Sequence, residues 1–206
     1  MDLFIICLFL FGIYAIDKSC CSILGEVARW VQLHCVINII VMYLSFSEMV
    51  EVFYEPLCSI ELSSNKNVLL LITSLHVYHT MFFKLSMIDF FHHILSLFIW
   101  TPFALNLNIK LLSMSYFIGC GLPGAIDYGA LTLVKHKKMN KLTEKYLNSL
   151  LNLYIRIPGG IIASYLFFIY HEYNYIMVLL SMTMYMNVLY FGQLAITNYW
   201  HHAHLL

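Results

Sequence analysis

Apolar residues run along this chain in long blocks separated by short polar turns. Residues 3–16, 30–46, 67–83, 88–104, 111–134, 149–170 and 173–196 are each dominated by Leu, Ile, Phe, Val, Met and Tyr. A bilayer crossing takes roughly 17–25 such residues, so six blocks predict membrane-spanning helices. The first block, LFIICLFLFGIYAI, has the length of a signal-peptide core. No Lys or Arg precedes it, however, and no small-residue cleavage site follows. It reads as a tilted or marginal first span. The predicted fold is all-α, a polytopic membrane bundle of six to seven transmembrane helices around a central cavity. With no internal repeat and no low-complexity linker, the chain divides simply. Residues 1–29 hold the marginal first segment and a cytosolic linker, 30–200 a transmembrane domain, and 201–206 a cytosolic His-rich tail.

Composition agrees with the pattern. Hydrophobic residues make up 61% of the 206 and charged residues 11%, with a mean hydropathy of +0.79. Soluble domains carry about 25% charged residues. Cytoplasmic loops collect Lys and Arg, which orients the spans. With loop 135–148 inside, Lys18, Arg29, Lys84, Lys135, Lys137, Lys138, Lys141 and Lys145 all face the cytosol, against Lys66 and Lys110 outside. The outer loop 47–66 is acidic, through Glu48, Glu51, Glu55 and Glu61. Trp30, Trp100 and Trp200 fall near span ends, where indoles prefer to sit. The C-terminus is then cytosolic. A formal net charge of zero offers nothing to a nucleic acid, so membrane lipids are the expected partners, and nothing sets an oligomeric state. The six cysteines show no paired spacing. Cys20 and Cys21 beside a span are a conceivable palmitoylation site, but they read more simply as unreactive thiols.

Ionisable residues inside the blocks carry the chemistry, because a polar group at membrane depth is costly and tends to be functional. Residues 75–95 read LHVYHTMFFKLSMIDFFHHIL. Lys84–Met87 form a turn between two spans, so His79 comes level with His92, ~10 Å below the turn at the helical rise. His76 and His79 share a face. Asp89 lies three and four residues before His92 and His93, within reach of either ring, where a carboxylate fixes the tautomer. His34, His136, His201, His202 and His204 fall toward the same side, and only His171 falls opposite. A second feature, GCGLPGAIDYGA, breaks or kinks its helix just before Asp127. The next span carries RIPGG from Arg156 to Gly160. Folding about loop 135–148 brings Asp127 level with Arg156 and predicts a structural ion pair.

These motifs resemble the TLC-domain family, which includes ceramide synthases and translocation-associated membrane proteins. The resemblance rests on H-x-Y-H at 76–79, I-D-x-x-H-H at 88–93, G-L-P-G-x-I-D-Y at 121–128 and the run from Glu144 to Gly159. It spans roughly residues 30–200. It implies about six helices around a lipid-accessible cavity and residence in the endoplasmic reticulum. Ceramide synthases use a similar histidine pair for N-acyl transfer, but their motif continues with a Thr and a His-Asp. Here Ile94-Leu95-Ser96-Leu97 follows, so the resemblance alone does not hand over an activity.

Three readings stand. In the first, a lipid-handling protein performs acyl transfer at His92 and His93 with Asp89 orienting a ring, and His76, His79 and Tyr78 line the substrate. Acyl-CoA is then a substrate, with no cofactor and no metal. In the second, HVYH, DFFHH and HHAH gather iron or zinc in a membrane oxidase, hydroxylase or hydrolase. In the third, the protein is structural or trafficking machinery, and the histidines only join helices.

Overall fold

The computed structural model describes residues 2–169 and 175–204; His171 and the end of the tail, residues 205 and 206, lie outside them. The described residues are helical apart from short connections and one isolated bridge between Ser63 and Ile109. Seven long helices form: α1 (Asp2–Leu24), α2 (Arg29–Tyr54), α3 (Lys66–Phe82), α4 (Met87–Leu107), α5 (Leu111–Lys135), α6 (Lys141–Ile169) and α7 (Tyr175–His204). All but α3 are long and apolar enough to cross a membrane, and α3 has 17 residues.

Local sequence sets the boundaries. Gly25 at φ +82° turns α1 into α2, a left-handed backbone that glycine adopts without a Cβ penalty. Asn108 at φ 44° ends α4. Ser86 opens α4 with a reciprocal capping box, its hydroxyl accepting from the Asp89 amide while the Asp89 carboxylate accepts from the Ser86 amide. Asn140 caps α6, accepting from the Leu142 amide at 2.8 Å.

Three sequence-based boundaries are corrected here. The first block is not marginal: α1 has 23 residues, and Ile13 and Asp17 are buried against the neighbouring helices. Most of the expected loop 135–148 is the first two turns of α6. His201, His202 and His204, expected in a tail, form the exposed last turn of α7, where the His202 Nδ1 proton goes to the Asn198 carbonyl at 2.8 Å.

Helix α2 is the axis of the bundle, packing on α1, α3 and α5, while α6 and α7 pair beside it. Glycines set the close approaches. A Cβ on Gly124 would stand 2.4 Å from Asn38, and one on Gly160 would stand 2.3 Å from Val188. Small residues at helix seams give dispersion contacts that larger ones forbid. The interior is filled by side chains such as Leu33, Ile37, Leu112, Met114 and Phe167. A lateral groove of about 680 Å³ opens on α2 and α5 beside Met42, Phe46, Phe117 and Leu122. A second hollow of about 240 Å³ lies at Leu142, Thr143, Tyr146 and Tyr199. Neither is lined by a histidine.

Each of α4, α5 and α6 contains a π-helical turn, at Leu95–Trp100, Phe117–Gly121 and Asn152–Arg156. The predicted break at GCGLPG is therefore one wide turn, after which Pro123 sits in the first turn of the continuing helix. Such turns are rare and cluster at functional positions.

Candidate functional site: an imidazole cluster and an open charge pair

Five imidazoles from three helices pack edge to face at one end of the bundle. His34 on α2 meets His79 on α3, with ring centroids 4.9 Å apart, and His79 meets His93 on α4 at 4.9 Å. His93 meets His76 at 4.8 Å, and His76 meets His92 at 5.4 Å. The hairpin brings these histidines together as the sequence suggests, but the expected partners His79 and His92 do not pair: His79 meets His93 and His76 meets His92. The His76 and His92 Nε2 atoms face each other at 3.4 Å, longer than an ordinary hydrogen bond.

Backbone carbonyls assign the tautomers, because a carbonyl only accepts. His76 Nδ1 donates to the Ile72 carbonyl at 2.8 Å, and His34 Nδ1 donates to the Trp30 carbonyl at 2.8 Å. His93 Nδ1 donates to the His76 carbonyl at 3.2 Å and lies 3.0 Å from the Thr80 hydroxyl. All three rings, when neutral, keep a bare lone pair on Nε2. That is the atom a general base or a metal ligand presents.

Asp89 does not hold either ring. Its carboxylate takes the Ser86 hydroxyl at 2.6 Å and the Ser86 amide at 3.2 Å, so it serves the start of α4. The S-M-I-D run before an apolar stretch carries the capping signature, and that local bond won. Tyr78 lines no open site either. It is buried, and its hydroxyl donates to Asp17 at 2.8 Å.

Sequence reasoning missed the group around Tyr78. Arg29 forks onto Asp17, with Nε 3.0 Å from both oxygens and a terminal nitrogen at 2.5 Å. The guanidinium also lies over the Phe83 ring at 5.0 Å. Next along the chain, Trp30 stacks on His79 at 5.5 Å, and Tyr128 of α5 closes on His34 at 4.9 Å. The Asp17–Arg29 clasp thus places Trp30 and His34 beside the cluster. No short-range sequence signal marks it, because its partners sit on three helices.

The predicted Asp127–Arg156 ion pair does not form. No Arg156 nitrogen lies within ion-pairing distance of Asp127. Asp127 Oδ1 and Arg156 Nε are both buried without a hydrogen bond, although each group is within electrostatic range of the other. Glu144, 1% exposed, has its own counter-charge in Lys145 at 3.2 Å.

The metal reading requires HVYH, DFFHH and HHAH to converge. The HHAH residues lie more than two turns beyond Phe191, which touches His92. Among the described residues no three His, Cys, Asp or Glu side chains form a group that could hold a metal ion. Three imidazoles thus keep Nε2 free of a proton when neutral, and Asp127 Oδ1 and Arg156 Nε lack hydrogen bonds. No family model matches this chain, and no curated protein and no solved structure matches it either.

Proposed function

We propose that this chain is a multi-pass membrane protein of the endoplasmic reticulum that binds lipid and uses the imidazole cluster as the base in acyl transfer. Its basic loop and C-terminus face the cytosol in this reading. The observation that carries it is the cluster itself: His34, His76 and His93 present unprotonated Nε2 atoms beside His92 in a bundle whose outer faces are apolar. Phe11, Tyr43 and Phe98 are about three-quarters exposed, a surface that water penalises and lipid tails accept.

The groove supports the lipid part. Its volume lies in the range of small-molecule sites. Met42 on its wall is eight residues along α2 from His34, so the groove begins about 12 Å from the cluster. An acyl chain in the groove thus leaves its head near the imidazoles. A bare Nε2 takes the proton of an amine or hydroxyl as that group attacks the carbonyl of an acyl thioester such as acyl-CoA. The C–S bond breaks as the new amide or ester forms, and the imidazolium returns the proton to the leaving thiolate, which departs as free thiol. Positioned bases of this kind contribute roughly 10²–10⁴-fold. The H-x-Y-H and I-D-x-x-H-H motifs agree with a TLC-type assignment.

The test is purified protein in lipid nanodiscs with isotope-labelled acyl-CoA and amine- or hydroxyl-bearing lipid acceptors, read by mass spectrometry. Labelled N- or O-acyl product that falls at least about 100-fold in His76→Ala and His92→Ala supports the proposal. Full product formation by folded variants, or none by the wild type with any acceptor, contradicts it. Extraction of the chain from membranes by alkaline carbonate would contradict the membrane part separately.

A further inference from the structure

We propose that Asp127 and Arg156 form a headgroup site for a phospholipid bearing a primary amine, the ammonium at Asp127 and the phosphate at Arg156. This rests on the lipid-handling reading and names the lipid class it takes.

Among the described residues Asp127, Glu144 and Arg156 each hold a buried charged-group atom without a hydrogen bond, and of the three only Glu144 has an ion-pair partner, Lys145 at 3.2 Å. Asp127 is 8% exposed and its Oδ1 accepts nothing; Arg156 Nε is enclosed and donates to nothing. A buried ion without a partner costs several kcal/mol; Asp127 incurs that cost, and the half-buried Arg156 leaves its enclosed Nε without an acceptor. The chain builds a closed pair elsewhere, at Asp17 and Arg29. Holding Asp127 and Arg156 apart leaves one acceptor and one donor for a third molecule.

The surroundings fit that molecule. Arg156 is the last residue of the π turn in α6, and Asp127 follows the π turn in α5. Leu122, on the wall of the groove, lies five residues from Asp127 along α5, about 7.5 Å at the helical rise. Glu144 and Lys145, which also act on Asp127, neutralise one another and do not replace Arg156.

Chemistry narrows the ligand. Asp127, when ionised, only accepts hydrogen bonds, and Arg156 only donates them. A phosphocholine head offers a phosphate but no N–H, so it leaves Asp127 unanswered. A neutral diacylglycerol leaves Arg156 unanswered. A primary-amine phospholipid satisfies both.

The experiment uses the full chain, delipidated in detergent, with equimolar phosphatidylethanolamine and phosphatidylcholine of identical acyl chains. Native mass spectrometry reads the bound ratio. A wild-type preference of about tenfold for the ethanolamine lipid is expected, the size of one charge-assisted hydrogen bond. Asp127→Asn, isosteric and uncharged, should bring the ratio to near one while total occupancy persists. Arg156→Gln should lower occupancy by both lipids. Because the ratio is internal to each folded sample, partial loss of protein does not affect it. Equal binding by the wild type, or a preference that Asp127→Asn leaves intact, overturns the proposal. Displacement of the lipid by millimolar free phosphoethanolamine would overturn the lipid source and assign the same contacts to a soluble ligand. Binding of neither phospholipid would overturn the lipid-handling reading along with the site. Strong binding with no preference would spare that reading and overturn only the site.

Discussion

The bundle contains two aspartate–arginine sets, and they are built in opposite ways. Asp17 is fully buried, yet its carboxylate takes three bonds from Arg29 and a fourth from Tyr78. Asp127 is nearly as buried, and no hydrogen bond reaches its Oδ1. The first set joins α1, α2 and α3 and positions Trp30 and His34 at the imidazole cluster. The second joins nothing. A satisfied buried charge holds a structure together; the unsatisfied one is where the lipid headgroup is proposed to bind.

The largest effect that breaks this comparison is at the closed set. Asp17→Ala strands Arg29 and the Tyr78 hydroxyl among three helices. It should cost about 3–5 kcal/mol, read as a large drop in folded yield and apparent Tm in detergent. Gly124→Ala tests the seam beside the open set. The new Cβ meets the Asn38 side-chain amide at 2.4 Å, so that buried side chain must turn away or α5 must shift from α2, at a cost of about 1–3 kcal/mol, and groove-bound lipid should fall with it. Asp127→Asn should change thermal stability by less than about 1 kcal/mol, because no native bond is lost; a change as large as that of Asp17→Ala would mean that Asp127 is structural.

The smallest effect lies at a third pair, Lys110 and Glu51, 2.5 Å apart at the opposite end of the bundle. The Glu51 carboxylate holds the Lys110 ammonium above its ordinary value of 10.5. A raised lysine contributes stability that is fully present below pH 10.5 and lost as pH rises through the higher folded value. With Glu51 half-exposed, Glu51→Gln should cost below about 1 kcal/mol and should flatten the fall in stability above pH 10.5, measured by thermal shift against pH.

Long apolar runs made the helices legible, because a block of that length has few other ways to satisfy its backbone. The meeting of His76 and His79 with His92 and His93 was legible because only a short turn separates the two helices, although the expected partnering of His79 with His92 did not hold. His34 was not, since its place beside His79 depends on how α2 packs against α3. The Asp17–Arg29–Tyr78 clasp failed likewise, its residues being local to nothing but the folded bundle. Asp89 failed differently. Its capping partner Ser86 was in plain view three residues away, and the local bond outcompeted the nearby rings. Residues 141–148, polar on one face, looked like loop because hydropathy marks spans and not the amphipathic turns that precede them. Asp127 and Arg156 were placed correctly by level, but level does not determine contact.

A double-mutant cycle on both sets in the same detergent tests the contrast most directly, with apparent Tm recorded for Asp17→Asn, Arg29→Gln and their combination, and for Asp127→Asn, Arg156→Gln and theirs. The account predicts strong coupling at the first set, several degrees in Tm, and coupling indistinguishable from zero at the second when lipid is absent. Equal coupling at both would show that Asp127 and Arg156 are paired in solution, and the open site would not exist.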